Sequence, residues 1–351
     1  MGDPMGLPRP NAQHTLAPLA ATHQPVRVGV IGVGNMGQHH TRVFSRMKDV
    51  ELVGVADVNV ERGLDIASRF RVHYYENYRD LITQVAAVAI AVPTVLHHEV
   101  GVACLQAGVH VLLEKPIAAS IAEAESLVNL AADYNGILQV GHIERFNPAF
   151  REVSKVLQGE RILAVEAHRM SPYSNRANDV SVVFDLMIHD IDLVLELVPY
   201  PVVRMTASGN CHSLNLDFVT ATLSFANGVI ATLTASKVTH RKMRRIVAHC
   251  QNSLVEADFL NSDEVLIHRQ VAAHPDYGQA PYQRDYVTEH IRTSHVDPLQ
   301  AELEHFISCV RGGNQPSVGG EQALKALRLA YEIERMALDS CALGDSANLL
   351  K

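Results

Sequence analysis

Positive charge is scarce in this chain: 30 Lys and Arg stand against 38 Asp and Glu, a formal net charge of −8. That balance argues against a general nucleic-acid binder, which needs a basic surface to neutralise phosphates. It leaves room for a local basic pocket that takes an anionic small molecule. Cysteine is scarce too. Cys104, Cys211, Cys250, Cys309 and Cys341 are odd in number and far apart, with no CxxC pair. Such spacing fits reduced thiols and not a disulfide framework or a zinc ribbon. No apolar run approaches the roughly 18–20 uncharged residues of a membrane helix, so no membrane partner is expected and the chain is read as a cytoplasmic protein. The 19 histidines include no HExxH or comparable metal-ligand spacing, and no metal is expected. Internal repeats are lacking as well.

What is present is ordinary globular material, 47% hydrophobic and 19% charged over 351 residues, a length that favours two domains. Residues 1–25 are Pro-rich without the apolar core of a signal peptide and read as a flexible tail. From Val26 short apolar runs alternate with amphipathic stretches: VRVGVIG, ELVGVAD, VHYYE, AAVAIAVP, HVLLEKP and ILQVGHI, each followed by helical sequence until His142. Strands without in/out alternation are buried on both faces, as in a parallel sheet covered by helices. The expected fold class is therefore α/β, with a Rossmann-like doubly wound parallel sheet over 26–142. Residues 143–351 read differently. A strand (RILAVEAHRM) precedes a very apolar helix, Ser181–Val198, and then Phe218–Phe225 and Val229–Ser236 alternate about an Asn227-Gly228 turn. Helices are expected at Leu299–Val310 and Glu321–Leu338. This half is expected to be an α+β domain with a large, mostly antiparallel open sheet.

Gly32, Gly34 and Gly37, with Asn35 and Met36 between them, form a GxGxxG that follows one strand and opens a helix. The first glycine permits a tight turn, the second lets a pyrophosphate approach, the third lets helix and strand close up, and the helix N-terminus offers oriented N–H donors. Asp57 ends the second strand about 20 residues further on, where a carboxylate meets the adenosine ribose hydroxyls and repels a 2′-phosphate. No arginine directly follows it. NAD is the expected cofactor. Pro93, Thr94 and His97 lie after the fourth strand, at the expected cofactor edge. Glu114-Lys115-Pro116 follows the fifth strand; Lys115 either reaches a substrate hydroxyl or belongs to a solvated turn.

In the apolar helix, Asp185, His189, Asp192 and Glu196 recur at spacings of four, three and four and make one polar stripe. An imidazole can take an alcohol proton near neutral pH, and a carboxylate one turn earlier can orient it. Asp190 lies off the stripe and reads as structural, and Glu196 as the wet edge of the helix. Arg145 and Arg169 are candidate anion contacts. Asn147 with Pro148 reads both as a helix start and as part of a substrate cleft. The basic run Lys237–Arg245 is for the most part a solvated turn, with contact to a diphosphate left open.

The set GVGNMG, Asp57, EKP and D-x-x-x-H resembles the Gfo/Idh/MocA oxidoreductases from about Val26 to the C-terminal helices. The resemblance implies a Rossmann domain plus an open-sheet domain, with assembly into a homo-oligomer (dimer or tetramer) through that sheet. It makes Lys115 and His189 the catalytic pair, Asp185 their partner and Glu114 a contact to the nicotinamide ribose. GHIERFNP and DLMIHDIDL look like the branch of the family that oxidises C3 of UDP-N-acetylglucosamine for the 3-amino sugar of lipid A. The expected substrate is therefore a nucleotide sugar. The alternatives are a free sugar or an inositol, or an NAD-dependent glycoside hydrolase of the same fold.

Overall fold

The computed structural model describes residues 24–173, 180–211, 215–261, 264–271 and 285–348; of the expected tail, all but Gln24 and Pro25 lies outside them. The chain forms two compact units. The first contains β1 (Val26–Ile31), α1 (Asn35–Phe44), β2 (Val50–Ala56), α2 (Val60–Phe70), β3 (His73–Tyr75), α3 (Tyr78–Ile82), β4 (Ala87–Ile90), α4 (His97–Gln106), β5 (His110–Glu114), α5 (Ile121–Asp133) and β6 (Leu138–Gly141). All six strands run parallel in the order β3-β2-β1-β4-β5-β6, the doubly wound arrangement with its switch point between β1 and β4. Every residue of β4 is buried, as is β5 up to Leu113, so the uninterrupted apolar runs reflect helical cover on both faces.

The second unit holds α6 (Pro148–Leu157), β7 (Ile162–Met170), a π-helical turn Val183–Met187 that leads into α7 (Ile188–Leu197), and β8 (Val202–Cys211) through β9 (Leu216–Phe225) and β10 (Ile230–Ser236). It continues with β11 (Met243–Cys250), β12 (Ser253–Asp258), β13 (Glu264–Val271) and β14 (Asp285–Arg292). The eight strands lie in the order β14-β13-β12-β11-β7-β10-β9-β8. Only β7 and β10 pair in parallel among them. Val219, Ala221, Leu223 and Phe225 are buried, and so are Ala231, Leu233 and Ala235 across the hairpin, in one core with Phe150, Val153, Ile191 and Val194 of α6 and α7. A one-residue slip would expose that row, and each large side chain contributes about 1.5–3 kcal/mol by its burial. The turn residue Gly228 sits at φ +86°, a conformation that favours glycine.

The expected division into 26–142 and an uninterrupted 143–351 needs correction. α8 (Pro298–Gly312) and α9 (Gly320–Asn348) complete the described chain, and the first unit reclaims Leu299–Leu324. Val140 N–H donates to Val318 O at 2.9 Å and Gln139 bridges Gly319, which covers the open edge of β6. Buried Leu303, Phe306, Ile307 and Val310 give α8 an apolar face. The helix expected at Ser181–Val198 is also interrupted: its first turn is π-helical, so Asp185 and His189 are not on one regular α-helix.

Candidate functional site

At the C-terminal edge of the parallel sheet, a cavity of about 650 Å³ is lined by the glycine loop, Met36, Asp57, Pro93, Thr94, His97, Glu114 and Lys115. The three glycines have separate physical roles. Gly32 sits at φ +83°, with Ala91 backbone 2.8 Å from where a Cβ would be. A Cβ on Gly37 would lie 1.8 Å from Gly32 O, so α1 could not start so close to the turn. At Gly34 nothing lies within 4 Å, which leaves room for a phosphate against the backbone. α1 has no side-chain cap and no acidic residue in its first turn, so its N–H donors face that room with a favourable dipole. These residues fit a dinucleotide.

Asp57 is tied on both oxygens. Oδ2 accepts from Val33 N–H at 2.8 Å and Oδ1 from Asn59 N–H at 2.8 Å. Arg62 on α2 donates to both oxygens, Nη2 to Oδ1 at 2.8 Å and Nε to Oδ2 at 3.1 Å. Burial pushes this carboxyl up, but the Arg62 hydrogen bond and the two backbone donors outweigh it and hold Asp57 below the ordinary carboxylate range. The absence of a neighbouring arginine, read from the residues that directly follow Asp57, is therefore corrected: one helical turn brings Arg62 to its side, and Arg62 borders the cavity.

Glu114 ends β5, and His40 Nε2 of α1 lies 2.7 Å from its Oε1. Desolvation raises the Glu114 carboxyl; the His40 hydrogen bond and charge, with Lys115 and His97 nearby, hold it below the ordinary value. The Lys115-Pro116 peptide is cis. His97 borders the cavity, yet its ring braces two loops: Nδ1 is 2.9 Å from Pro116 O and Nε2 3.0 Å from Val92 O. Burial pushes its pKa down, so at neutral pH the ring has one N–H and donates to one of these carbonyls. Glu302 of α8, whose backbone carbonyl accepts from Gln139 of β6, is 0% exposed, with neither carboxyl oxygen hydrogen-bonded among the described residues. Burial, with the charge of Glu114 added, pushes its pKa well above the ordinary range.

In the second unit the polar residues of α7 meet basic partners. Asp185 Oδ2 lies 3.0 Å from Lys237 Nζ, which also donates to Val180 O at 2.6 Å. The His189 and His142 rings meet edge-on with centroids 6.4 Å apart. Arg145 donates to Asp192 at 2.6 and 2.9 Å and also pairs with Glu196. Arg169, 2% exposed, donates to both oxygens of Asp190 at 3.0 Å and to Glu144 at 2.8 Å. Burial disfavours the Arg169 charge, but Asp190 and Glu144 more than restore it. The reading of Arg145 and Arg169 as anion contacts is thus corrected: both guanidiniums are buried and saturated by carboxylates. Asn147 is the cap of α6, its Oδ1 accepting from Ala149 N–H at 3.0 Å and its Nδ2 donating to Glu144. It is buried and belongs to the same structural knot rather than to a substrate surface.

Sequence reasoning missed His40, Arg62, Glu302 and the inward turn of Lys237. Arg62 had a legible signal, one helical turn past an Asx cap at Asn59. The other three depend on contacts from distant parts of the chain. Arg241 and Lys242, in contrast, are exposed as a solvated turn would be. Among the described residues no helix is long and apolar enough to cross a membrane, and no group of three or more His, Cys, Asp or Glu could hold a metal ion.

Comparison with known proteins agrees with this geometry. Residues 26–142 match the oxidoreductase family model with an NAD-binding Rossmann fold, and residues 158–256 match the GFO/IDH/MocA C-terminal domain. A UDP-N-acetylglucosamine 3-dehydrogenase of Acidithiobacillus ferrooxidans is 33% identical over 90% of this chain and 98% of its own. Its solved structure superposes with a TM-score of 0.82, over 90% of this chain and 98% of that one. A myo-inositol 2-dehydrogenase of Thermotoga maritima is 24% identical over 88% of this chain and 96% of its own. With an NAD site at the switch point of its parallel sheet and a matching second domain, the chain belongs to the Gfo/Idh/MocA family of NAD-dependent oxidoreductases.

Proposed function

We propose that the protein oxidises a sugar-ring hydroxyl to a ketone, and that its substrate is UDP-N-acetylglucosamine, oxidised at C3. The observation that carries the substrate is the end-to-end relation to the Acidithiobacillus enzyme, which exceeds that to the inositol dehydrogenase. NAD, when bound, supplies the hydride acceptor. Lys115 holds the hydroxyl oxygen and shares its proton, and His189 takes that proton as the C–H bond breaks. Asp185, fixed by Lys237, orients and balances the imidazole. Glu114, positioned by His40, would hold the nicotinamide ribose, Asp57 the adenosine ribose, and Gly34, Asn35 and Met36 the pyrophosphate. The substrate diphosphate is met by exposed Arg241 and Lys242 and by Arg244, whose side chain is 43% exposed at the rim of the Glu144 knot.

The deciding experiment incubates the purified protein and NAD⁺ with UDP-sugars, free sugars and inositols, reading NADH and product mass. NADH formed with UDP-N-acetylglucosamine, with a product lighter by two hydrogens, is expected. Reduction of NAD⁺ with inositol or glucose and with no UDP-sugar would replace this substrate by the inositol alternative; bond cleavage without net NADH would replace the reaction itself. Lys115→Met and His189→Ala should each keep NAD binding while turnover falls on the order of 10²–10⁴-fold. Near-normal turnover in either variant removes that residue from the proton transfer.

A further inference from the structure

Two of the five cysteines meet although 130 positions separate them. Cys211 ends β8 and Cys341 lies on α9; both are half-buried, with Sγ atoms 3.0 Å apart. The contact is the second rung of a ladder between strand and helix. On the first rung, Gly209 of β8 faces Ala337 of α9: a Cβ on Gly209 would lie 3.0 Å from Ala337 Cβ. The missing side chain is what lets the helix lie this close to the strand. Two residues along a strand advance about 6.7 Å, and four along a helix about 6 Å. The β8–β9 register shifts between Asn210 and Cys211, yet Cys211 stays on the half-buried side of β8 with Gly209, so the step from Gly209 to Cys211 matches the step from Ala337 to Cys341 on one face of each element. The sulfurs meet because backbone geometry repeats the first rung, not because two long side chains happen to reach.

We propose that Cys211 and Cys341 form a modification site, a cysteine pair that closes to an intrachain disulfide under an oxidising thiol–disulfide couple and ties β8 to α9 within the second unit. In the reaction one cysteine thiolate attacks a sulfur of a small disulfide such as oxidised glutathione and releases one glutathione thiolate. The second cysteine thiolate then displaces the other glutathione, forming the Cys211–Cys341 bond. Two electrons pass to the small disulfide, and the two cysteine protons end on the two released thiols. The other cysteines do not compete. Cys104 is buried with its thiol pushed up to about 12, and burial also pushes up Cys250 and Cys309. Those three remain thiols at neutral pH and are poor nucleophiles.

The test equilibrates the full-length protein with reduced and oxidised glutathione over a range of ratios, quenches with acid, and reads intact mass and a non-reducing peptide map. The expected result is a loss of about 2 Da, a single linked peptide pair containing Cys211 and Cys341, and full reversal by dithiothreitol. Cys211→Ser and Cys341→Ser should each prevent that loss and retain a glutathione adduct on the remaining partner. Circular dichroism of both variants establishes that they are folded. A linkage between any other cysteines, glutathione adducts without closure in the wild type, or no change in mass at the most oxidising ratio would each overturn the proposal. None of these outcomes depends on which sugar the enzyme oxidises.

Discussion

Single residues set which cofactor is accepted and how the first unit answers to pH. Asp57 does two things at once: it places a carboxylate in the wall of the cavity and it neutralises Arg62. Removal of the carboxylate frees a guanidinium that suits a phosphate. Asp57→Ala alone, with no new arginine, should therefore weaken NAD use and raise NADP use, measured as the ratio of kcat/KM for the two cofactors. An unchanged ratio would show that Arg62 does not serve the ribose end. Glu302 gives a second expectation. Its proton is held far above the ordinary carboxylate range in the folded chain and is lost near the ordinary value in the unfolded one. The stability it leaves to the fold is full below the ordinary carboxylate pKa and declines as pH rises from there toward the folded value, by at most about 1.4 kcal/mol per pH unit. Glu302→Gln cannot ionise. The variant should gain on the wild type as urea denaturation is repeated at rising pH from pH 5, the gain levelling off once the folded pKa is passed; parallel curves throughout would mean that Glu302 does not carry a proton in the fold.

At the scale of elements, Arg169 illustrates what a buried ion pair does to a strand and a helix. It joins β7 to Asp190 of α7 and to Glu144, and its loss leaves Asp190 buried without its guanidinium partner and Glu144 with Arg244, 3.3 Å away, as its cation. Breaking such a knot costs roughly 3–5 kcal/mol. Arg169→Ala should appear as a lowered denaturant midpoint rather than as a raised KM in an otherwise stable enzyme; the reverse pattern would restore Arg169 to the substrate. The mistaken expectation for this residue has a physical origin. A sequence displays a cation but not its counter-ions, which here lie 21 and 25 positions away. Among the parallel strands, β1, β4, β5 and β6 were legible because burial on both faces leaves nearly uninterrupted apolar runs, and the glycine loop because steric demands fix residue type at three places. β8, β12 and β14 were not. β8 and β14 are the edges of their sheet, where polar and charged residues such as Arg204, Asn210, Glu289 and Arg292 break the apolar rhythm. β12 has only six residues, too few for alternation to stand out. Lys115, Asp185 and His189 were legible as residue types at strand and helix positions, whereas His40 and Lys237 become visible only when α1 and β10 are folded beside them.

At the scale of the whole molecule, the large sheet turns its fully buried row toward the helical core and a half-buried threonine row to the opposite face. Thr220, Thr222, Thr232 and Thr234 form that row in cross-strand register, a mildly polar surface. We propose that two or four copies assemble through this face, as the family resemblance implies, and light scattering tests it: Thr232→Arg should convert the oligomer to a monomer while NAD binding persists, and an unchanged mass would point to another face. The return of Leu299–Leu324 to the first unit has a further consequence, for ancestry and for engineering. The gene segment for His142–Pro298 sits like an insertion within the coding region of the nucleotide unit, and the second unit resumes at Lys325. A chimera that exchanges substrate specificity by cutting once after Gly141 would carry away Phe306, Ile307 and Val318 and strip the edge of β6. A transferable nucleotide unit has three seams, after Gly141, Pro298 and Leu324, and any family member built this way can swap its sugar-recognising part only when all three junctions are moved together.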